Sequence, residues 1–159
     1  MVETVRDALI ERWKVEPQRA EQLAHLSGGR LGWAVDAAQN EAVLERRAEL
    51  LDDLLRLIGQ GRVERFAYAA EMASDSVTAR ETLRLWQTWW RDVMLLASGS
   101  RAMLANVDHE GALREHSARF GIERAKDTCG RITQTLWQLD HNANARLALQ
   151  VLLLDFPAV

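Results

Sequence analysis

The sequence predicts an all-α protein, and three observations point to this fold class. Leucine and alanine recur throughout the 159 residues, only two prolines interrupt them, and no segment alternates apolar and polar residues convincingly enough to predict a strand. Apolar residues instead recur every three or four positions, which is the spacing of one face of a helix. With 48% hydrophobic and 27% charged residues, the chain is expected to bury a core and not to be disordered.

Three short helices are predicted in residues 1–40. The first covers 3–13, and the second begins at Pro17, because a proline suits the first turn of a helix, where its missing N–H is not needed. The second helix ends at the Gly28-Gly29 pair, and the third covers about 30–39. Three helices this short bury too little surface to be stable alone, so this small bundle needs the rest of the chain or a neighbour.

Residues 41–159 are predicted to form a second, larger helical domain. Its helices cover about 41–58, 62–72, 76–97, 109–120, 122–139 and 145–155. Gly121 is expected to interrupt the helical path, Asp75 and its serine neighbours offer N-caps, and Asn142 or Asn144 caps the last helix before Pro157 ends it.

Charge and cysteine content exclude several classes of protein. With 20 Lys+Arg against 23 Asp+Glu, the net charge of −3 argues against strong unaided nucleic-acid binding, which requires a basic surface. A single cysteine, Cys129, excludes an intrachain disulfide and fits a reducing compartment. No apolar run approaches the length of a membrane span and no signal peptide opens the chain, so the protein is expected to be soluble and cytoplasmic, with no membrane partner.

We find no motif for catalysis, for a cofactor or for a metal ion. The phosphate-binding motif GxxxxGK[ST] is absent, and no histidine has a glutamate three residues before it, as a di-iron bundle requires. His109-Glu110 lacks the second histidine of a zinc HExxH helix and is interpreted as a solvated helix start. Glu115-His116 is predicted to lie on an exposed helix face, and Cys129 to be a buried structural thiol and not a nucleophile.

The segment 83–96 is the most informative in the chain, because it combines leucines, three tryptophans and two arginines. Drawn as a helix, it is apolar around most of its circumference and contains Trp86, Trp89 and Trp90. Such a helix lies either at the centre of a bundle or half in the core and half at an interface, since tryptophan and arginine dominate binding hot spots. Both interpretations are open at this point.

Residues 145–154 form the second informative segment. Leu147, Val151 and Leu154 make one apolar stripe, and further leucines broaden it. The pattern fits a buried terminal helix, and it also fits a helix that seals one protomer against another.

Four motifs, in their order and spacing, carry a family resemblance over nearly the whole chain. They are Ala24-His25-Leu26-Ser27-Gly28-Gly29-Arg30-Leu31-Gly32-Trp33-Ala34, Trp86-Gln87-Thr88-Trp89-Trp90-Arg91-Asp92, Asn106-Val107-Asp108, and the segment 139–154 with its Asn142-x-Asn144-x-Arg146-Leu147 centre. Together they resemble the C-terminal half of the delta-prime subunits of bacterial DNA polymerase III, which are clamp-loader proteins. The resemblance implies that residues 1–40 are the helical lid of an AAA+ module and that 41–159 are the collar domain that joins clamp-loader subunits into a ring. It also implies a longer protein, whose N-terminal ATPase-like domain this sequence does not contain.

One departure from the AAA+ pattern bears on mechanism. In active AAA+ lids, an arginine at the fourth position of a Gly-x-x-Arg turn reaches the nucleotide phosphates, whereas the fourth position counted from Gly29 is Gly32. Arg30 does not replace that arginine, because two positions earlier on a helix points about 200° away. Delta-prime-like subunits are regarded as inactive ATPases, so the departure favours that subunit over a nucleotide-hydrolysing relative.

The resemblance therefore implies a scaffold that is not an enzyme and has no cofactor, with other clamp-loader subunits as partners. Sliding clamp and DNA would be reached only indirectly, through the missing N-terminal domain. Trp89, Arg91 and Arg146 are predicted to contact neighbouring subunits. The alternative is an autonomous helical module that binds a peptide or small ligand in a groove lined by the tryptophan-rich helix. An enzyme would need polar groups converging in a pocket, for which the sequence gives no sign.

Overall fold

The computed structural model describes residues 2–158, so Met1 and Val159, the outermost residues of the two predicted domains, lie outside it. The described part contains eight α-helices, a single-turn 3₁₀ helix at Val107–His109 and no strand. The helices are α1 (Val2–Trp13), α2 (Pro17–Leu26), α3 (Leu31–Gln39), α4 (Glu41–Ile58), α5 (Arg62–Met72), α6 (Ser76–Ala97), α7 (Glu110–Asp140) and α8 (Ala145–Leu154). The predicted all-α class is confirmed, and the predicted helix ends lie within about one residue of those observed.

Local side-chain caps explain where four helices begin. The side chains of Glu16, Asn40, Asp75 and Asn144 each accept a hydrogen bond from a backbone N–H in the first turn of the next helix, at 2.9–3.1 Å. Each cap satisfies a donor that has no partner within the helix, and such caps typically contribute about 1 kcal/mol. These helix starts therefore depend on neighbours in the sequence and not on distant contacts.

α7 is bent at Gly121. This residue has φ 69° and ψ 179°, in the positive-φ region that glycine enters without the steric cost of a Cβ atom. The break divides α7 into a segment before Gly121 and one after it, as the sequence predicted.

Buried apolar side chains form two clusters. The smaller lies among α1, α2 and α3, with Val43 and Leu44 of α4 packed against its edge. The larger lies among α4 to α8, and its largest fully buried side chains are Leu51, Leu54, Leu57, Ile58, Leu83, Trp86, Trp89, Trp90, Leu113 and Ile132. α4 contributes to both clusters and so connects them.

α6 runs through the centre of the larger cluster and packs most extensively against α7. Trp86, Trp89 and Trp90 are all fully buried. Nε1 of Trp86 donates a hydrogen bond to the carbonyl oxygen of Leu50 in α4, at 2.8 Å. Of the two interpretations of the tryptophan-rich segment, the central core helix is the one the structure supports.

A buried arginine connects the ends of α4 and α8 through α5. Arg65 is only 4% exposed, and its guanidinium lies 2.8–3.2 Å from six backbone carbonyl oxygens. Those carbonyls belong to Leu57, Ile58, Gln60, Leu153, Phe156 and Pro157. They lie at the C-terminal ends of α4 and α8, where helix dipoles concentrate negative charge that offsets the burial of the cation. Arg65 thereby holds α5 and α8 in a defined relative position.

Candidate functional site

The described residues gather no set of reactive side chains. No group of three or more His, Cys, Asp or Glu side chains within residues 2–158 is placed to hold a metal ion. Cys129 is half-buried, and burial raises the pKa of its thiol to about 11, so the thiol stays protonated at neutral pH and is a poor nucleophile. In the same range, no helix combines the length and the apolar character that a membrane span requires.

Trp89 cannot serve as a contact residue in this fold. Its indole is fully buried, and its Nε1 donates a hydrogen bond to Nδ1 of His116 at 3.2 Å. A side chain with no exposed surface reaches a partner only if the bundle opens, so the prediction that Trp89 contacts a neighbour is wrong for this fold. The groove that a tryptophan-lined binding module would need is filled by the core for the same reason.

The structure also corrects the prediction for His116. The sequence predicts an exposed face for it, but it is only 9% exposed and packs against the rings of Trp89, Trp90 and Phe120. Because its Nδ1 accepts the Trp89 hydrogen bond, the neutral ring carries its proton on Nε2. Burial lowers the pKa of His116. The sequence signal for this burial is its helical register with Leu113, a fully buried residue three positions earlier.

Arg91 is half exposed, with 48% of its side chain accessible. Its Nη1 lies 3.2 Å from Oδ1 of the fully buried Asp92. Oδ2 of Asp92 accepts hydrogen bonds from the backbone N–H of Ala105 and from both nitrogens of Asn106, at 2.8–2.9 Å. Burial raises the pKa of Asp92. The end of the Trp86–Asp92 motif thus anchors the Asn106 motif, which is a structural role.

Sequence reasoning overlooked Arg47, which completes this polar network. Its guanidinium is 6% exposed and donates to Oδ1 of Asn106 at 2.7 Å and to both carboxylate oxygens of Asp108, at 2.6 and 3.2 Å. Although burial alone would raise the pKa of Asp108, the hydrogen bond and the charge of Arg47 bring it below its ordinary value. The network joins α4, α6 and the segment before α7. The sequence signals this network only by placing one carboxylate, Asp92 or Asp108, in each of two separated motifs.

Arg91 also borders the contact between the first three helices and the larger bundle. His25 of α2 places Nδ1 3.1 Å from the carbonyl oxygen of Leu104, and Gly28 lies against Thr88 of α6. A cavity of about 440 Å³ lies between these elements, with Arg91 in its wall. Arg91 is therefore positioned at an internal junction as well as at the surface.

Arg146 lies at the edge of an exposed apolar groove. The groove has a volume of about 470 Å³, and its lining residues are Arg62, Val63, Phe66, Ala67, Ala70 and Arg146. Val63 is 79% exposed and Phe66 is 43% exposed. The side chains of Arg62 and Arg146 form no hydrogen bond or ion pair with any other described residue.

α8 is apolar on two opposite sides. Leu149, Leu152 and Leu153 are buried, whereas the predicted stripe of Leu147, Val151 and Leu154 is 60%, 53% and 37% exposed. Each of the two interpretations of this helix therefore fits one of its sides. The buried side is that of a core helix, and the exposed side is that of a helix available for contact with another protomer. The exposed apolar stripe on α8 and the exposed apolar groove on α5 are each the kind of surface that suits a protein partner.

Comparison with protein families identifies the larger bundle. The family described as DNA polymerase III, delta subunit, C terminal, matches residues 41–157, which include all of α4 to α8. No curated protein and no solved structure matches significantly. The match covers well over half of the chain, and its family is that of the C-terminal part of a clamp-loader subunit. The chain therefore belongs to a clamp-loader family, that of the C-terminal domains of DNA polymerase III delta subunits.

Proposed function

We propose that this chain is the lid and collar part of a delta-prime-type subunit and that it holds clamp-loader subunits together without hydrolysing nucleotide. The observation that carries this proposal is the family match over residues 41–157, which assigns the bundle to a clamp loader. The four ordered motifs favour delta-prime within that family. Gly32, at the position where an active lid has arginine, favours an inactive subunit.

The surface that supports a contact between subunits lies on α5 and α8. Five large apolar side chains on these helices remain exposed, namely Val63, Phe66, Leu147, Val151 and Leu154. Burying each of them would contribute about 1 kcal/mol, at roughly 25 cal/mol per Å² of apolar surface removed from water. Arg146, which borders this surface, remains a proposed contact residue. Arg91 remains a second one, through its exposed half.

A collar works only if it is stiff, and two buried arginines supply stiffness. Arg65 joins α5 to the ends of α4 and α8, and Arg47 joins α4 to the segment before α7. We infer that a bundle held in this way keeps neighbouring ATPase modules at set positions, so that nucleotide binding elsewhere in the ring opens the sliding clamp. The clamp and DNA would then be contacted through the N-terminal domain, in the cytoplasm, where the chromosome is replicated.

Co-assembly tests this function directly. The chain is mixed with the other clamp-loader subunits of its source organism, and the mixture is followed by size-exclusion chromatography with light scattering. We expect co-elution with at least one of them, and we expect the double variant Leu147→Glu, Val151→Glu to reduce it. The matched control is Val77→Glu, because Val77 is 76% exposed on α6 and does not line the groove. A wild-type chain that elutes alone at tens of micromolar would contradict the function.

A further inference from the structure

The groove on α5 has the geometry of a helix-binding surface. Its apolar floor consists of Val63, Phe66, Ala67 and Ala70, which follow the i, i+3, i+4, i+7 spacing of one helix face. The two alanines are small enough for the backbone of a second helix to approach closely, because helix axes pack 8–10 Å apart only where the side chains between them permit it. An amphipathic helix in an apolar groove is a recurring mode of recognition.

The two charged side chains that line the groove are both positive. Arg62 and Arg146 are the only charged residues that line it, and neither has a partner among residues 2–158. Both stand in the first turn of a helix, Arg62 at the start of α5 and Arg146 near the start of α8. A cation in that position is disfavoured by the helix dipole, so these arginines are not placed there for the stability of their own helices. A carboxylate approaching the groove would meet two guanidinium groups and two positive helix ends.

The groove is also held in shape before any partner arrives. Arg65, on the opposite side of α5, secures that helix to the carbonyl groups at the end of α8. A surface whose backbone is already ordered loses less conformational entropy on binding, which favours affinity.

A different chain suits the groove better than a second copy of this one. If two copies paired groove to groove, the contact would gather four guanidinium groups, two from each copy. A helix of another chain that carries carboxylates on its rim avoids this repulsion.

We infer that the α5 groove binds one amphipathic helix of a neighbouring clamp-loader subunit, with an apolar stripe on the groove floor and carboxylates against Arg62 and Arg146. The identity of the partner rests on the proposed function, whereas the chemistry of the occupant rests on the groove alone. The two therefore need separate tests.

The first test measures the Kd of the chain for the clamp-loader subunit with which it co-elutes, using Val63→Glu, Arg62→Glu and Arg146→Glu. Each variant is expected to raise Kd about tenfold, a loss of about 1.4 kcal/mol, and the arginine variants should also flatten the salt dependence. The controls Val77→Glu and Arg101→Glu lie outside the groove and should bind as the wild type does. If all three groove variants bind as tightly as the wild type, the inference fails while the proposed function stands.

The second test needs no natural partner. A synthetic helical peptide of about 16 residues, with leucines at i, i+3, i+4 and i+7 and glutamates beside them, is titrated by fluorescence anisotropy against the chain. A second peptide carries lysines in place of the glutamates. We expect the glutamate peptide to bind at least about tenfold more tightly and Val63→Glu to abolish its binding. Equal binding of the two peptides, or no binding of either, overturns the inference even if the subunits assemble together.

Discussion

Arg47 and Asp108 form a two-point ion pair across 61 residues of sequence, with nitrogen-to-oxygen distances of 2.6 and 3.2 Å. The same guanidinium also donates to Asn106, which in turn is held by the buried carboxylate of Asp92. Two of the motifs that carry the family resemblance are therefore parts of one polar network. The network gives Asp92, Asn106 and Asp108 a structural role, so no catalytic role is needed to account for them.

Removing Arg47 should strongly destabilise the protein. In Arg47→Met, Asp108 and Asn106 lose their shared donor in a largely buried site, and we expect the free energy of unfolding to fall by about 3 kcal/mol. Urea denaturation followed by circular dichroism measures this change. Arg46→Met is the matched control, because Arg46 is exposed and pairs with the exposed Glu49, so its loss should be below about 0.5 kcal/mol. Equal losses in the two variants would contradict a structural role for the network.

Arg65 should be irreplaceable even by lysine. In Arg65→Ala six carbonyl oxygens, most of them buried, each lose a donor, and we expect a loss of about 3–5 kcal/mol in the free energy of unfolding. Arg65→Lys keeps the charge but offers three donors on one nitrogen, so it should recover less than half of that loss. Thermal and urea denaturation provide the measurement. Arg62→Ala on the same helix should change stability little, and a fully stable Arg65→Lys protein would show that charge alone matters there.

His116 should make stability depend on pH. Its pKa in the folded protein lies below the ordinary value of 6.5, so the unfolded chain binds the proton more readily. The stability that its neutral form provides is complete above about pH 6.5 and is lost as the pH falls from there towards the folded pKa. We expect the free energy of unfolding to decrease as the pH falls below about 6.5.

The variant His116→Gln tests this assignment, since its amide oxygen can still accept the Trp89 hydrogen bond but does not titrate. Its unfolding free energy should decline less steeply with falling pH than that of the wild type. His141→Gln serves as the control, because His141 is exposed at the end of α7. If the wild type and His116→Gln show the same pH dependence, another group is responsible.

Cys129 should react slowly with thiol reagents. With its pKa raised to about 11, the thiolate fraction near pH 8 is far lower than that of an ordinary thiol. We expect its reaction with Ellman's reagent to be about a hundredfold slower than that of free cysteine, and to reach the free-cysteine rate in denaturant. A fast reaction in the folded state would indicate an activated thiol.

The positions of most helices could be predicted because they depend on neighbouring residues. Asn40, Asp75 and Asn144 cap the helices that follow them, and Gly121 bends α7 through its own backbone angles. Each of these effects acts within one turn of helix, so the order of amino acids is sufficient information.

The arginine anchors could not be predicted in the same way. Arg65 donates to carbonyl groups 88 to 92 residues away, as well as to nearer ones. Any backbone carbonyl can accept such a bond, so the sequence contains no pattern that selects these partners. The same applies to Arg47, whose partners lie about 60 residues further along the chain.

The sequence alone determined the all-α class, the helix ends, the break at Gly121 and the two apolar segments that merited attention. Only the tertiary structure decided which apolar surfaces stay open: it buries Trp89 and His116 in the core and leaves Leu147 and Val63 in water. The physical reason is that a helix apolar on several sides has no preferred inward direction of its own. Its burial is set by the helices that surround it, and α6 is enclosed by other elements whereas α5 and α8 each keep one apolar side uncovered.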